Sequence, residues 1–432
     1  MLRATLIEEI SVEQPRSTDT SRLKLERAAR LIGGKGRRAR IGILDHTGPG
    51  IGGGQLVVSH MAALLSRDYD VDLIHREGQY KLATLAAAFC VNLSQVNDRS
   101  VAELNGSFGL TGLRSLLGQK SEKLRNLTAP YDLFIYTGHG IPPPCFAKAG
   151  LVYCHFPFES SPLTWLEADT PWRPWRSLSR MMKKSGYRLA WSRRMRGYQK
   201  IFANSGFTAA WIERRWGRAA EVLYPPVEVA PPPVEKQNLI VSVGRITGER
   251  RSKNQLEQVG AFREFAQGIG DSWTLRIVGS CGEERRDRDY LTAIQAETNG
   301  LPIELCVNVD RNVTLRSLAE AKLFWHTTGL SSDENEHPEH AEHFGIATVE
   351  AMKAGCVPVV VASGGQREIV ENGVSGFLVK DLRELVRRSI AVVHEGSLLD
   401  RMSEEARRRS KVFSADSFDQ RFMGIVSQCM SN

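Results

Sequence analysis

The run Tyr224-Pro225-Pro226-Val227-Glu228-Val229-Ala230-Pro231-Pro232-Pro233 constrains this chain more than any other stretch. Five prolines in ten residues cannot continue a helix or a central strand, because each removes a backbone donor and fixes φ. The run reads as a semi-rigid hinge. On either side the same rhythm appears, short apolar strands followed by amphipathic helices. Before it come Ile41–Leu44, the helix Leu56–Leu65, Val71–Ile74, Leu133–Tyr136, Leu151–Tyr153 and Ile201–Ala203. After it come Leu239–Val243, Thr274–Val278, Glu304–Val307, Phe324–His326, Val357–Val361 and Phe377–Val379. Strands alternating with helices predict parallel sheets covered on both faces. The fold class is therefore α/β, two Rossmann-like domains facing each other across a cleft. Ligands bind in such sheets outside the C-terminal ends of the strands.

The expected boundaries follow from the hinge. Residues 1–37 form a polar extension, 38–224 the first domain, 225–235 the hinge and 236–414 the second domain. A last helix at about 415–432 is expected to pack back on the first domain. Composition narrows the class further. Hydrophobic and charged fractions of 42% and 25% describe a folded globular protein. No apolar run reaches the ~18 residues of a membrane span, and the N-terminus lacks the apolar core of a secretory signal. Seven scattered cysteines, never spaced C-x-x-C, exclude a disulfide scaffold or zinc ribbon and fit a reducing cytosol. A formal charge of +8 points to an anionic partner.

Asp45-His46-Thr47-Gly48-Pro49-Gly50-Ile51-Gly52-Gly53-Gly54 follows the first strand and opens a helix. Gly48, Gly50 and Gly53 satisfy G-x-G-x-x-G, and Asp72 stands near the end of the next strand, where a dinucleotide fold places its ribose ligand. Three readings stay open from these residues: a bound dinucleotide, a loop facing a pyrophosphate from the opposite domain, and a tight turn without ligand.

The second domain carries three pieces at strand-to-helix junctions. Arg245 ends a strand in Ser242-Val243-Gly244-Arg245, and Lys253 begins the next helix; together they suit a diphosphate clamp, a fork plus a point charge. Glu342 and Glu350 lie eight positions apart in Glu342-His343-Phe344-Gly345-Ile346-Ala347-Thr348-Val349-Glu350. Gly345 stands where a helix would begin, which puts Glu342 in a loop, Glu350 on the helix, and the free N–H groups of Phe344 to Ala347 at a positive helix tip. Such a tip accepts an anion or hydroxyl while Glu350 holds a diol. The third piece is the glycine turn Ala362 to Val370, followed by Gly373 and Gly376.

In this order the three pieces resemble those of retaining glycosyltransferases of family 4, over roughly residues 39–430. Tyr153-Cys154-His155-Phe156-Pro157 and His326-Thr327-Thr328, followed by Glu342-His343-Phe344-Gly345-Ile346, look most like the eukaryotic-type α-1,2-mannosyltransferases that act on lipid-linked oligosaccharide. The resemblance implies a two-domain GT-B fold and transfer of a sugar, mannose from GDP-mannose or else the sugar of a UDP-sugar, to a glycan or lipid-linked acceptor. It implies no metal and no cofactor beyond the nucleotide sugar. Arg245 and Lys253 would hold the diphosphate, Glu350 the donor ribose, and Glu342 with the backbone of Phe344, Gly345 and Ile346 the transferred sugar. Gly52, Gly53 and Gly54 would approach the donor from the first domain, and His155 would stand near the attacked carbon. Unlike those relatives, the chain shows no spanning segment near its N-terminus, and it carries an acidic, histidine-rich stretch from Ser331 to His340.

Two features stand beside this reading. His337, His340 and His343 alternate with Glu336, Glu339 and Glu342 at metal-ligand spacing, but Pro338 breaks any regular helix, so a hydrated loop is expected and no metal. From Pro171 to Lys200 there are ten Lys/Arg and no acid, with Trp172, Trp175 and Trp191 interleaved and Trp165 just before. No nucleic-acid module is recognisable there. Tryptophan beside cations suits an anionic lipid surface, so residues 165–200 are expected to make peripheral membrane contact.

Overall fold

The computed structural model describes residues 37–48, 50–102, 121–161, 189–228, 231–248, 252–270 and 272–431. The first domain is a seven-stranded sheet of β1 (Arg40–His46), β2 (Asp70–Arg76), β3 (Val96–Val101), β4 (Leu133–Gly138), β5 (Ala149–Cys154), β6 (Lys200–Ala203) and β7 (Glu221–Val222), in the order β3-β2-β1-β4-β5-β6-β7. Its helices are α1 (Gly53–Leu65), α2 (Leu82–Phe89), α3 (Ser121–Thr128) and α4 (Gly206–Trp216). The second domain is a six-stranded sheet of β8 (Gln237–Val243), β9 (Thr274–Gly279), β10 (Ile303–Val307), β11 (Ala321–His326), β12 (Val357–Val361) and β13 (Phe377–Val379), in the order β10-β9-β8-β11-β12-β13. Its helices are α5 (Gln255–Ile269), α6 (Arg285–Thr298), α7 (Arg311–Glu320), α8 (Ile346–Lys353), α9 (Gln366–Ile369), α10 (Leu382–His394) and α11 (Gly396–Ser410), with α12 (Ala415–Ser431) last. Every strand pair is parallel.

The apolar runs are continuous because these strands are covered on both faces. In β1, Ile41 and Ile43 pack with Val57, Val58 and Met61 of α1, while Leu44 joins Phe134, Tyr136 and Trp216 on the other face. Three strands depart from this rule, among them the edge strand β10, where no residue is fully buried. β3 reads Val-Asn-Asp-Arg-Ser-Val and lies at the sheet edge, and β7 is two residues long.

The proline run is packed in its first part and exposed at Pro232 and Pro233. Pro225, Pro226 and Val227 are buried, and Val227 donates its N–H to Phe413 O at 3.0 Å. Just beyond Phe413, α12 crosses to the first domain, where Phe418, Phe422 and Val426 join the core and Asp419 meets His60 at 2.6 Å. The chain thus passes between the domains twice at one place.

The basic stretch needs a correction. Trp191 is not an interfacial ring: it is 4% exposed, packs on Trp216 and donates its indole N–H to Trp216 O at 3.1 Å. Arg194 is buried as well, whereas Arg193 and Arg196 are exposed. Trp165, Trp172 and Trp175 lie outside the described residues. Among the described residues no helix is long and apolar enough to cross a membrane. All seven cysteines are free thiols.

Candidate active site

The C-terminal strand ends of both sheets open on one cleft of about 570 Å³. Across it the N-termini of α1 and α8 face each other. A Cβ on Gly53 would lie 2.6 Å from Ile346 Cδ1, so the missing side chain is what lets the two tips approach. Two like-signed helix ends repel until an anion lies between them. On the far side of α8, Gly345 caps the helix at φ +118, and a Cβ there would lie 2.8 Å from Gln366 Nε2.

The glycine loop is held from behind. Buried Asp45 accepts from Thr47 N at 2.9 Å, Tyr80 Oη at 2.8 Å and Gln79 Nε2 at 3.2 Å. Gln55 accepts from Gly52 N at 3.1 Å and donates to Thr47 Oγ1 at 2.6 Å. Asp72 does not serve this loop. It is the third residue of β2, not near its end, and is bound by Arg40 Nη2 at 3.0 Å, Tyr131 Oη at 2.7 Å and Asn97 Nδ2 at 3.0 Å. With its oxygens engaged away from the strand end, it cannot act as the ribose ligand of a dinucleotide fold.

Lys253, His326 and Glu342 form the chemical centre. Lys253 crosses Gly244, where a Cβ would meet its Cγ at 2.6 Å, and its ammonium pairs with Glu342. The Lys253 backbone is fixed by Thr327, whose Oγ1 donates to Lys253 O at 2.6 Å. His326 Nε2 lies 3.0 Å from Glu342 Oε2, and its Nδ1 lies 3.4 Å from Gln366 Nε2. Lys253 Nζ also lies 3.3 Å from Nε2, but the carboxylate is nearer, and with a donor amide at Nδ1 it favours the neutral tautomer protonated at Nε2. Burial, and then the Lys253 charge, hold the His326 pKa below its ordinary value, in keeping with that form. Burial alone would raise the Glu342 carboxyl, yet Lys253 and His326 together pull it well below the usual carboxylate range. Glu342 is an anion with its partners in place, and Lys253 is a cation already matched.

Glu350 projects from α8, 5% exposed, into the same cavity. Both its oxygens meet the guanidinium of Arg311, Oε2 with Nη1 at 3.1 Å and Oε1 with Nη2. Arg311 was not anticipated from sequence, although it opens the helix after β10, the same kind of junction that carries Lys253 and Glu350. Arg245 lines the cleft, is exposed, and makes no side-chain hydrogen bond or ion pair among the described residues. His155 is buried at the cleft wall, and its Nε2 has no partner among the described residues. Burial, then the neighbouring His139 and His343, depress its pKa well below 6.5, so it is a neutral imidazole with a polar atom to offer a ligand.

The two domains are also locked together beside the site. His343 stacks on Phe156 with centroids 3.9 Å apart, and its carbonyl accepts from Ser205 Oγ at 2.5 Å. Glu368 of α9 caps α4, accepting from Gly206 N at 2.8 Å and Phe207 N at 2.9 Å. The acidic stretch folds onto the glycine turn, where Glu334 accepts from Gly364 N at 2.7 Å and Arg367 Nη1 at 2.8 Å. Glu342 and His343 therefore belong to the cleft, apart from His337, Glu339 and His340. Those three keep ligand atoms within 4.8 Å of one another, and Glu339 also meets Arg215 at 3.6 Å.

Comparison with known proteins bears on the family and the fold. Residues 228–409 match the family Glycosyl transferases group 1. A mouse protein named GDP-Man:Man(3)GlcNAc(2)-PP-Dol alpha-1,2-mannosyltransferase is 29% identical over 255 residues, 54% of this chain and 49% of its own. Its Caenorhabditis elegans namesake is 30% identical over 212 residues, 45% of this chain and 43% of its own. The chain thus spans about half the length of the curated relatives it matches. Among solved structures, Anabaena Alr3699/HepE in complex with UDP and glucose superposes with a TM-score of 0.61 at 17% identity, over 90% of this chain and all of that one. WaaG, a glycosyltransferase involved in lipopolysaccharide biosynthesis, gives 0.59 at 13% identity, over 89% of this chain and 99% of that one. The fold is the two-domain GT-B fold seen in these solved structures, and residues 228–409 are similar to the glycosyl transferases group 1 family.

Proposed function

We propose that this chain is a retaining, metal-independent mannosyltransferase that moves mannose from GDP-mannose to a hydroxyl of a lipid-linked glycan. The observation that carries the reading is the cleft itself: two helix N-termini face each other, with Lys253, Arg245 and Glu342 between them. A diphosphate there receives Arg245, the α1 tip and the α8 tip, and draws Lys253 partly from Glu342. Negative charge grows on the leaving diphosphate as the bond to the sugar's anomeric carbon breaks. Fixed cations and helix dipoles stabilise that charge without reorganisation, which is the work a metal would otherwise do. The acceptor hydroxyl attacks on the face from which the diphosphate leaves, and its proton passes to the departing phosphate oxygen. Configuration is then retained. Glu342, relieved of part of its pairing with Lys253, accepts from a sugar hydroxyl, and His155 offers Nε2 on the opposite wall.

Donor and acceptor identity rest on the names of the relatives, which cover only part of their own length. Peripheral contact of the first domain with an anionic membrane belongs to the same reading, through exposed cations such as Arg193 and Arg196. A donor screen that follows nucleotide diphosphate release tests it. GDP-mannose should turn over with a lipid-linked oligosaccharide acceptor; turnover of a UDP-sugar alone would move the reading to another donor, and reduction of NAD(P)⁺ or oxidation of NAD(P)H would replace it.

A further inference from the structure

We infer that His326 is a positioning residue that takes up a proton as the donor binds, and so keeps Glu342 paired while the diphosphate draws Lys253 away. The inference rests on the proposed docking of a diphosphate against Lys253 and adds the group that balances the charge left behind.

Glu342 is served by two donors on one atom. The Lys253 ammonium and His326 Nε2 both meet Oε2, the imidazole at 3.0 Å, and Oε1 makes no hydrogen bond or ion pair among the described residues. Oε2 therefore fixes the carboxylate, and Oε1 is the oxygen open to a ligand hydroxyl. A diphosphate competes for the ammonium as a second anion. As Lys253 moves toward it, Glu342 becomes a largely buried anion beside another anion, which is costly unless a cation replaces the lysine.

His326 can supply that cation. It ends β11 at 2% exposure, and the charges that act on it are Lys253, whose Nζ lies 3.3 Å from Nε2, and Glu342. Behind the ring α9 presents the uncharged Gln366, itself held by Thr348 of α8 at 2.9 Å, and Phe324 stacks from the same strand. Burial and the Lys253 charge disfavour a proton on the ring, whereas Glu342 favours one. When the ammonium moves off, one opposing influence goes, and the carboxylate is left as the charged neighbour of the ring among the described residues.

Gln366 can serve either state of the ring. Its Oε1 is buried without a partner, while its Nε2 lies 3.4 Å from Nδ1. A half-turn of the amide brings Oε1 to Nδ1, where it accepts from the proton that an imidazolium adds there. Thr348 Oγ1 accepts from Nε2 in one orientation and donates to Oε1 in the other, as a hydroxyl can do both. A buried amide oxygen left unpartnered is destabilising; here it is the acceptor that the charged ring requires. The proton comes from solvent to Nδ1, Nε2–H stays on Glu342 Oε2, and the proton returns to solvent when the nucleotide leaves and Lys253 comes back.

The test is calorimetry of GDP-mannose binding without acceptor, in buffers of different ionisation heat and at several pH values. GDP-mannose is the probe because its diphosphate, esterified at both ends, lacks the phosphate proton that titrates near about pH 6. Wild type should take up a fraction of a proton per donor near about pH 6.5 and none above about pH 8. By linkage its affinity should rise as pH falls over that range. His326→Gln keeps a donor for Glu342 but cannot titrate, so uptake should vanish and affinity should no longer follow pH. Turnover with acceptor should fall by about tenfold or more in His326→Ala, and His326→Gln should restore part of it. A merely structural histidine would leave the uptake intact in His326→Gln, with the proton on His155 or another cleft group, and that result overturns the inference. Should His326→Gln fail to fold, Glu342→Gln decides: with no carboxylate facing the ring, uptake should be lost, and undiminished uptake contradicts the account. A wild type that binds GDP-mannose, or UDP-glucose in its place, without taking up a proton overturns this inference alone. A wild type that binds neither overturns the functional reading itself.

Discussion

Lys253 and Glu342 are a matched pair, and that pairing separates two variants that a simple clamp would not. Glu342→Gln removes the carboxylate that competes for Lys253, so GDP should bind as well as or better than to the wild type. Turnover should still fall by ~10²-fold or more, because the contact that strengthens in the transition state is gone. Lys253→Ala should weaken GDP and lower turnover together. Calorimetry with GDP alongside steady-state rates reads both; weaker GDP binding in Glu342→Gln would show that the roles are misassigned. Protonation of the buried histidines gives a second expectation. The folded pKa values of His155 and His326 lie below the ordinary 6.5. As pH falls through that value the unfolded chain takes up protons before the folded one does, so their contribution to stability is full above about pH 6.5 and is lost below it. Melting temperature should drop as pH falls from about 6.5, and His155→Gln should flatten that slope. An unchanged slope would mean that His155 is already solvated.

The elements show which parts of the site the sequence could reveal. Lys253, Glu342, Glu350 and the glycines stand at strand-to-helix junctions, where a chain must turn and where glycine and charge are visible as pattern. Their partners were not legible. Arg311 and Glu368 meet their targets across gaps of 39 and 162 residues, and nothing local marks such contacts. β3 is not marked in the sequence because an edge strand needs no apolar face, and Asp72 is misplaced because a strand bounded by apolar residues stops at Ile74, two residues short of its end at Arg76. The approach of α1 to α8 makes its own prediction. Alanine for a helical glycine ordinarily stabilises by about 1 kcal/mol. At Gly53 the added methyl meets Ile346, so Gly53→Ala should keep or raise the melting temperature and yet raise donor KM and cut turnover by about tenfold. Ile346→Ala in the same chain should restore much of the activity. Failure of the second change to rescue the first would place the effect elsewhere than in the closeness of the helix tips.

At the scale of the whole molecule, two domains are joined by a proline strap packed at Pro225–Val227, a returning helix and a set of contacts that flank the cleft. The apolar rhythm and the hinge foretold two sheets; the locking contacts of Glu368, His343 and Phe156 arise only when the domains face each other. The proposed membrane contact belongs to the outer surface of the first domain. Each cation near an anionic leaflet contributes ~1 kcal/mol, and salt screens it. Wild type should co-sediment with anionic vesicles at low salt and be released as salt rises. Arg193→Ser with Arg196→Ser should weaken that binding and leave GDP affinity unchanged, whereas buried Arg194 is no test of a surface. Indifference of the wild type to anionic vesicles would favour a soluble acceptor. The most direct test of the account as a whole is one reaction: GDP-mannose and a lipid-linked oligosaccharide with the protein in excess EDTA, followed by NMR of the anomeric centre. The account predicts undiminished turnover and an α-linked product, the configuration of the donor. Activity that vanishes with EDTA and returns with Mn²⁺ or Mg²⁺, or a β-linked product, would contradict it.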